Sequence, residues 1–124
     1  MKKEIKTSDA PSAPSISQAI ELGGLVITSG QIHLTKDGKL VKGTMEARAK
    51  QVLDNLEAVL ATAGLSFKDV LKVTVYVTDM AEYSKFNEIY ATYFTAPYPA
   101  REVVCVKELP LGASVEVSMI AKRQ

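Results

Sequence analysis

Apolar residues recur along this chain with two different periods. From Thr44 to Ala63, Met45, Ala49, Val52, Leu53, Leu56, Val59 and Leu60 fall at three- and four-residue steps. They share one face of a helix, and Glu46, Lys50, Asp54 and Glu57 lie mostly away from it. Thr44 suits an N-cap and Gly64 a C-terminal stop. A second helical stretch, Met80 to Phe94, places Tyr83, Phe86, Ile89, Tyr90, Tyr93 and Phe94 inward. Asp79 and Glu82 have the spacing of a capping box, and Pro97 and Pro99 end the run. Elsewhere the period is two. Leu71, Val73, Val75 and Val77 share one face of a strand, with Lys72, Thr74 and Tyr76 on the other. Arg101–Val106 and Ser114–Ala121 also alternate, and the Leu109-Pro110-Leu111-Gly112 turn predicts that they pair as a long-looped hairpin. Nearer the start, Gln18–Leu22 and Leu25–Ser29 read as short strands around Gly23-Gly24, after an extended loop over Thr7–Ser15. Lys36–Lys39 marks a further turn.

The order is strands, helix, strand, helix, strands. It predicts a single α+β domain over residues 1–124, with one sheet and both helices packed on one face. Val103 and Cys105 alternate against Val104 and Val106, so both faces of the sheet are partly apolar. A small domain built this way is expected to cover its second face by oligomerising.

Composition narrows the function. Fifteen Lys plus Arg against fourteen Asp plus Glu leave a formal charge of +1, so no charge excess argues for nucleic acid or an anionic membrane as partner. Apolar runs are far short of the roughly 20 residues that span a bilayer. Met1–Lys6 has a basic flank without an apolar stretch, unlike a secretory signal, and a cytoplasmic location is expected. With one His and one Cys there is no multi-Cys metal site or His cluster, so no metal is expected. No glycine-rich phosphate loop or Gly-x-Ser-x-Gly elbow is present. His33 reads as a partly exposed loop histidine and Cys105 as a buried strand thiol. Two charges interrupt apolar strands: Arg101, after Pro99-Ala100, and Glu116, between Val115 and Val117. Pattern alone leaves two readings open. They face solvent or pair as a cross-strand salt bridge, or Arg101 grips a carboxylate bidentately while Glu116 handles a proton or water.

The segment Pro99-Ala100-Arg101-Glu102-Val103-Val104, then Leu109-Pro110, Val115-Glu116-Val117 and Ile120-Ala121, resembles the C-terminal signature of the RidA family. These are the reactive-intermediate (imine) deaminases, also called L-PSP endoribonucleases. Upstream, Ser17-Gln18-Ala19, Ile27–Ile32, Asp54-Asn55-Leu56, Ala63-Gly64-Leu65, Val73–Val77 and Phe86-Asn87-Glu88 follow in family order, so the resemblance spans nearly the whole chain. It implies a chorismate-mutase-like fold with a single mixed β-sheet, a homotrimer with sites between subunits, and no cofactor. The implied reaction is hydrolysis of 2-imino acids, tautomers of 2-enamines, to 2-oxo acids and ammonium.

On this resemblance Arg101 binds the substrate carboxylate and Glu116 orients or activates the attacking water. Asn87 lies near the pocket, and the Gly30 backbone approaches the ligand. Three positions depart from the pattern. Ile16 stands where a tyrosine is frequent, Val103 where a cysteine is frequent, and His33 where proline is usual. The missing tyrosine hydroxyl leaves an alternative: a trimeric regulatory protein that holds a small carboxylate in the same cleft without turning it over. Ribonuclease chemistry finds no support, because no basic-aromatic stripe is present and His33 is the sole histidine.

Overall fold

Helix α1 (Met45–Thr62) begins where the Thr44 hydroxyl accepts a hydrogen bond from the Ala47 N–H. It ends at Gly64, whose φ of 77° and whose N–H bond to the Ala61 carbonyl close the last turn. Its buried stripe, Met45, Ala49, Val52, Leu53, Leu56, Val59 and Leu60, is the one the periodicity predicts. The computed structural model describes residues 1–124. Its strands are β1 (Lys3–Ile5), β2 (Ala19–Leu22), β3 (Leu25–Thr28), β4 (Gln31–Ile32), β5 (Val70–Val77), β6 (Ala100–Cys105) and β7 (Val115–Lys122), with α2 at Tyr83–Tyr90.

The strands form one mixed sheet in the order β1-β2-β3-β7-β5-β6, and β4 pairs with β7 beside β3. Val26 of β3, Val73, Val75 and Val77 of β5, and Val115, Val117, Met119 and Ala121 of β7 point into one core with the α1 stripe and Phe86 of α2. Each such Val, Leu, Met or Phe side chain contributes about 1.5–3 kcal/mol on burial. The domain is thus α+β, with both helices on one face. The opposite face carries Ile20, Ile27 and Ile120 in register across β2, β3 and β7, and Glu116, Tyr76 and Val104 across β7, β5 and β6. Ile27 is 49% exposed and Val104 41%.

Several expectations are corrected. β6 and β7 do not form a hairpin: β5 lies between them, parallel to β6 and antiparallel to β7. The connection after α2 returns the chain to the start of β6 on the outer side of β5, and the Leu109–Gly112 turn then carries it across the end of β5. Leu71 leaves the Val73–Val77 face because a bulge between Val70 and Lys72 gives Val70 the core position. α2 is shorter than its pattern. Asp79 caps a 3₁₀ turn at Met80–Glu82 by accepting from the Ala81 N–H, and the Glu82 carboxylate pairs with Arg48 at 2.7 Å, so no reciprocal box forms. Cys105 is exposed, because β6 is an edge strand and Cys105 its last residue. No helix is long and apolar enough to cross a membrane.

Leu53 is fully buried beneath the sheet. Leu53→Ala is expected to lower the unfolding free energy by about 2–5 kcal/mol, read as a lower urea midpoint. The exposed Glu57→Ala control should stay within about 0.5 kcal/mol.

Candidate active site

The predicted site residues fall into two groups. Arg101, Asn87 and Val103 lie on the helix-covered side at the β6 edge. Arg101 pairs in register with Val73, a core residue, so its side chain points toward α2. There one Nη donates to the Asn87 carbonyl oxygen at 2.7 Å and the other to the Tyr83 hydroxyl at 2.6 Å. The guanidinium also lies 4.5 Å from the centre of the Tyr90 ring, a cation–π contact. Val103 packs against the core two residues on. Read from the sequence, Tyr83 and Tyr90 have no part in the site, although Tyr83, Asn87 and Tyr90 are spaced four and three apart and so share a helix face. The planar fork is thereby held in one orientation with only part of its five N–H donors used.

Glu116, Gly30 and Ile16 form the second group. Glu116 alternates with the core residues Val115 and Val117, which turns it to the opposite face, next to Ile32 on β4 and Tyr76 on β5. Arg101 and Glu116 therefore do not meet within one chain, and the cross-strand salt bridge is excluded. Glu116 borders a cleft of about 220 Å³ lined by Gly30, Ile32, Leu34, Ile16 and Leu111 among others. The Gly30 backbone forms the floor beneath the carboxylate: a Cβ there would lie 2.2 Å from Glu116 Oε2. Glycine is required here by close approach, not by its φ.

Two neighbouring polar side chains are committed elsewhere. The Gln18 amide donates to the carbonyls of Thr7, Ala10 and Pro11, and the Ser29 hydroxyl to that of Ser17. Glu116 is the charged group of an otherwise largely apolar cleft. Partial burial raises its carboxyl above the usual value near 4.5, with no neighbouring charge offsetting it. A carboxylate held this way is a stronger base than one in water. No cluster of His, Cys, Asp and Glu suited to a metal ion is present.

A family model described as Endoribonuclease L-PSP matches residues 7–123. A RutC family protein of Pyrococcus horikoshii is 43% identical over 100% of both chains. The 2-iminobutanoate/2-iminopropanoate deaminase of Escherichia coli is 39% identical, again over 100% of both. Among solved structures, RidA from an Antarctic Psychrobacter superposes with a TM-score of 0.93 at 36% identity, covering 98% of this chain and 99% of that one. The chain belongs to the RidA family.

Within this RidA family fold, Ile16 and His33, two of the three departures from the family pattern, occupy different surroundings. Ile16 is 58% exposed and offers only apolar surface to the cleft. Leu111, 71% exposed, lines the same cleft in a left-handed conformation with a φ of 58°. His33 lies in the loop after β4, as expected, but is not partly exposed. It is 2% exposed, with both ring nitrogens bonded.

Because folding raises the Glu116 pKa, its contribution to stability is present below pH 4.5 and is lost as the pH rises through the folded value. Carboxyl NMR should find Glu116 titrating above 4.5. In Gly30→Ala the new methyl displaces the carboxylate toward water, and the titration should fall back toward 4.5.

Proposed function

We propose that the protein hydrolyses reactive 2-imino acids to 2-oxo acids and ammonium, at sites shared between copies of the chain in a homotrimer. The observation that carries this reading is the split of the candidate residues. A braced arginine with spare donors lies on one face, and an unpaired, basic carboxylate over a glycine floor lies on the other. Two copies must meet for one substrate to touch both, and the open face with Ile27 and Val104 supplies apolar surface for that contact. The E. coli relative, by its name, acts on 2-iminobutanoate and 2-iminopropanoate.

The chemistry follows from the groups. Arg101 takes the substrate carboxylate through two parallel N–H···O bonds, which fixes the C=N carbon in place. Glu116 accepts a proton from water as its oxygen adds to that carbon, giving a carbinolamine. The same carboxyl returns that proton to nitrogen to complete the neutral carbinolamine. It then takes the carbinolamine hydroxyl proton and delivers it to nitrogen as C=O forms and the C–N bond breaks. The 2-oxo acid and ammonia depart, and ammonia takes a proton from solvent to become ammonium. Only water is consumed. A positioned general base contributes about 10²–10⁴-fold in rate. Val103 and Ile16 would border the substrate side chain.

One observation favours a second reading. With Ile16 in the cleft and the Gln18 and Ser29 side chains bonded elsewhere, no side-chain hydrogen bond reaches Glu116, as in a site that holds a carboxylate without turnover.

The deciding assay generates 2-imino acids enzymatically and follows semicarbazone trapping. Addition of the protein should suppress trapping and accelerate 2-oxo acid release. Glu116→Gln is expected to lose about 100-fold or more in kcat. Arg101→Ala should lose at least as much in kcat/KM, and Arg101→Lys should recover little, because an ammonium cannot reproduce the fork. Carboxylate binding by calorimetry without turnover would select the second reading. In light scattering the active species should have three times the chain mass, and a fully active monomer would sink the shared site.

A further inference from the structure

Glu116 has no hydrogen-bonding partner of its own, so its position depends on the segments around it. One wall of its cleft is β4 and the following turn, with Ile32 and Leu34; the other is Pro110 and Leu111, leading into β7. His33 lies between them. Its Nε2 accepts the backbone N–H of Ser114 at 2.9 Å, and its Nδ1 lies 2.7 Å from the Val41 carbonyl oxygen. Both partners have fixed roles, since an amide can only donate and a carbonyl only accept. The ring must therefore be the neutral Nδ1–H tautomer. Asn55, on α1, secures the same turn by donating to the Leu34 carbonyl at 2.8 Å. The Ser114 hydroxyl meets the Arg48 guanidinium, which is itself paired with Glu82.

We propose that His33 is a positioning residue that latches the Ile32–Leu34 wall of the cleft to the start of β7 and so sets where Glu116, two residues beyond Ser114, presents its carboxylate. The role rests on the water-activating reading of Glu116 given above. A proline at this position has no side-chain donor or acceptor and makes neither ring bond. The latch holds only while the ring is neutral. A proton on Nε2 would face the Ser114 N–H, donor against donor. The groups facing the ring are Arg48 from α1, which opposes protonation, and Glu82 from the turn before α2, which favours it less. Burial is the largest effect and pushes the His33 pKa below its ordinary 6.5.

Because Arg101 of the other half binds the carboxylate, loosening the Glu116 half should appear in kcat more than in KM. His33→Leu removes the latch. His33→Gln keeps one acceptor and one donor and cannot titrate. At mildly alkaline pH, His33→Leu is expected to lose about tenfold in kcat, the scale of one unsatisfied buried donor, with KM little changed. His33→Gln should recover most of that loss. A readout independent of turnover uses the chain's single histidine. Its ring ¹⁵N shifts should report the Nδ1–H tautomer, and slow exchange of the Ser114 amide should persist in wild type and His33→Gln. That protection should disappear in His33→Leu, and in wild type once the pH falls below the His33 titration. If no imine is turned over but the ring and amide behave this way, the latch stands and the catalytic reading fails. An Nε2–H ring, a Ser114 amide indifferent to His33 protonation, or a folded His33→Leu with wild-type kcat would each overturn the proposal.

Discussion

Strand β5 is the constraint on which the rest of this molecule depends. With β6 parallel on one side and β7 antiparallel on the other, the pleat fixes the side to which every residue on those strands points. Arg101 is in register with Val73 and so joins the helix side; Glu116 is in register with Tyr76 and so joins the open side. A slip of one residue in either pairing would exchange these faces and bury a charge in the valine layer. Val73, Val75 and Val77, all fully buried, make such a slip costly, and they thereby fix the location of the two charges.

This arrangement connects the chain's size to its chemistry. A sheet of this length covered by two helices has one face left over, and here that face carries both exposed aliphatic residues and the Glu116 cleft. Under the proposed function, surface that would be a liability in a monomer is the means of bringing a second copy, with its own Arg101, to the cleft. The near-neutral charge fits such a site. Capture of a small anion needs one well-aimed guanidinium, whereas a long polyanion would need an extended basic surface.

What the sequence made legible follows its periodicities. The α1 stripe, the Val73–Val77 face, the strands around Gly23-Gly24 and the charged positions Arg101 and Glu116 were all readable, because each lies in a long or strictly alternating run. The family order of short segments added the fold. Non-local choices were not readable. Nothing within Arg101–Val106 or Ser114–Ala121 says that β5 separates them, since a turn of suitable length also serves a hairpin. The Leu71 bulge adds one residue without changing composition. β1 and β4 are too short to carry a period. His33 read as partly exposed because its partners, the Val41 carbonyl and the Ser114 amide, are backbone groups 8 and 81 residues away. Tyr90 reads as core and is buried there, but its contact with the Arg101 guanidinium, like that of Tyr83, depends on the β6 edge and was not readable.

The two halves of the proposed site are built on opposite electrostatic terms. Arg101 is braced by an amide oxygen, a phenol and an aromatic face, so its orientation is set before any ligand arrives. Rigid donors aimed at a carboxylate lose little entropy on binding, and such a half is suited to recognition. Glu116 has no such support. Its carboxylate lies over a glycine, beside apolar walls, with burial alone acting on its proton affinity. That isolation disfavours the ionised form, and the same isolation makes the carboxylate an effective base for water. A cation or hydroxyl placed against Glu116 would steady it while drawing its pKa down, trading base strength for rigidity. Support that leaves base strength intact must come from the backbone beneath and beside the carboxylate. In this fold that means the Gly30 floor and the buried bonds that hold β4 to the start of β7.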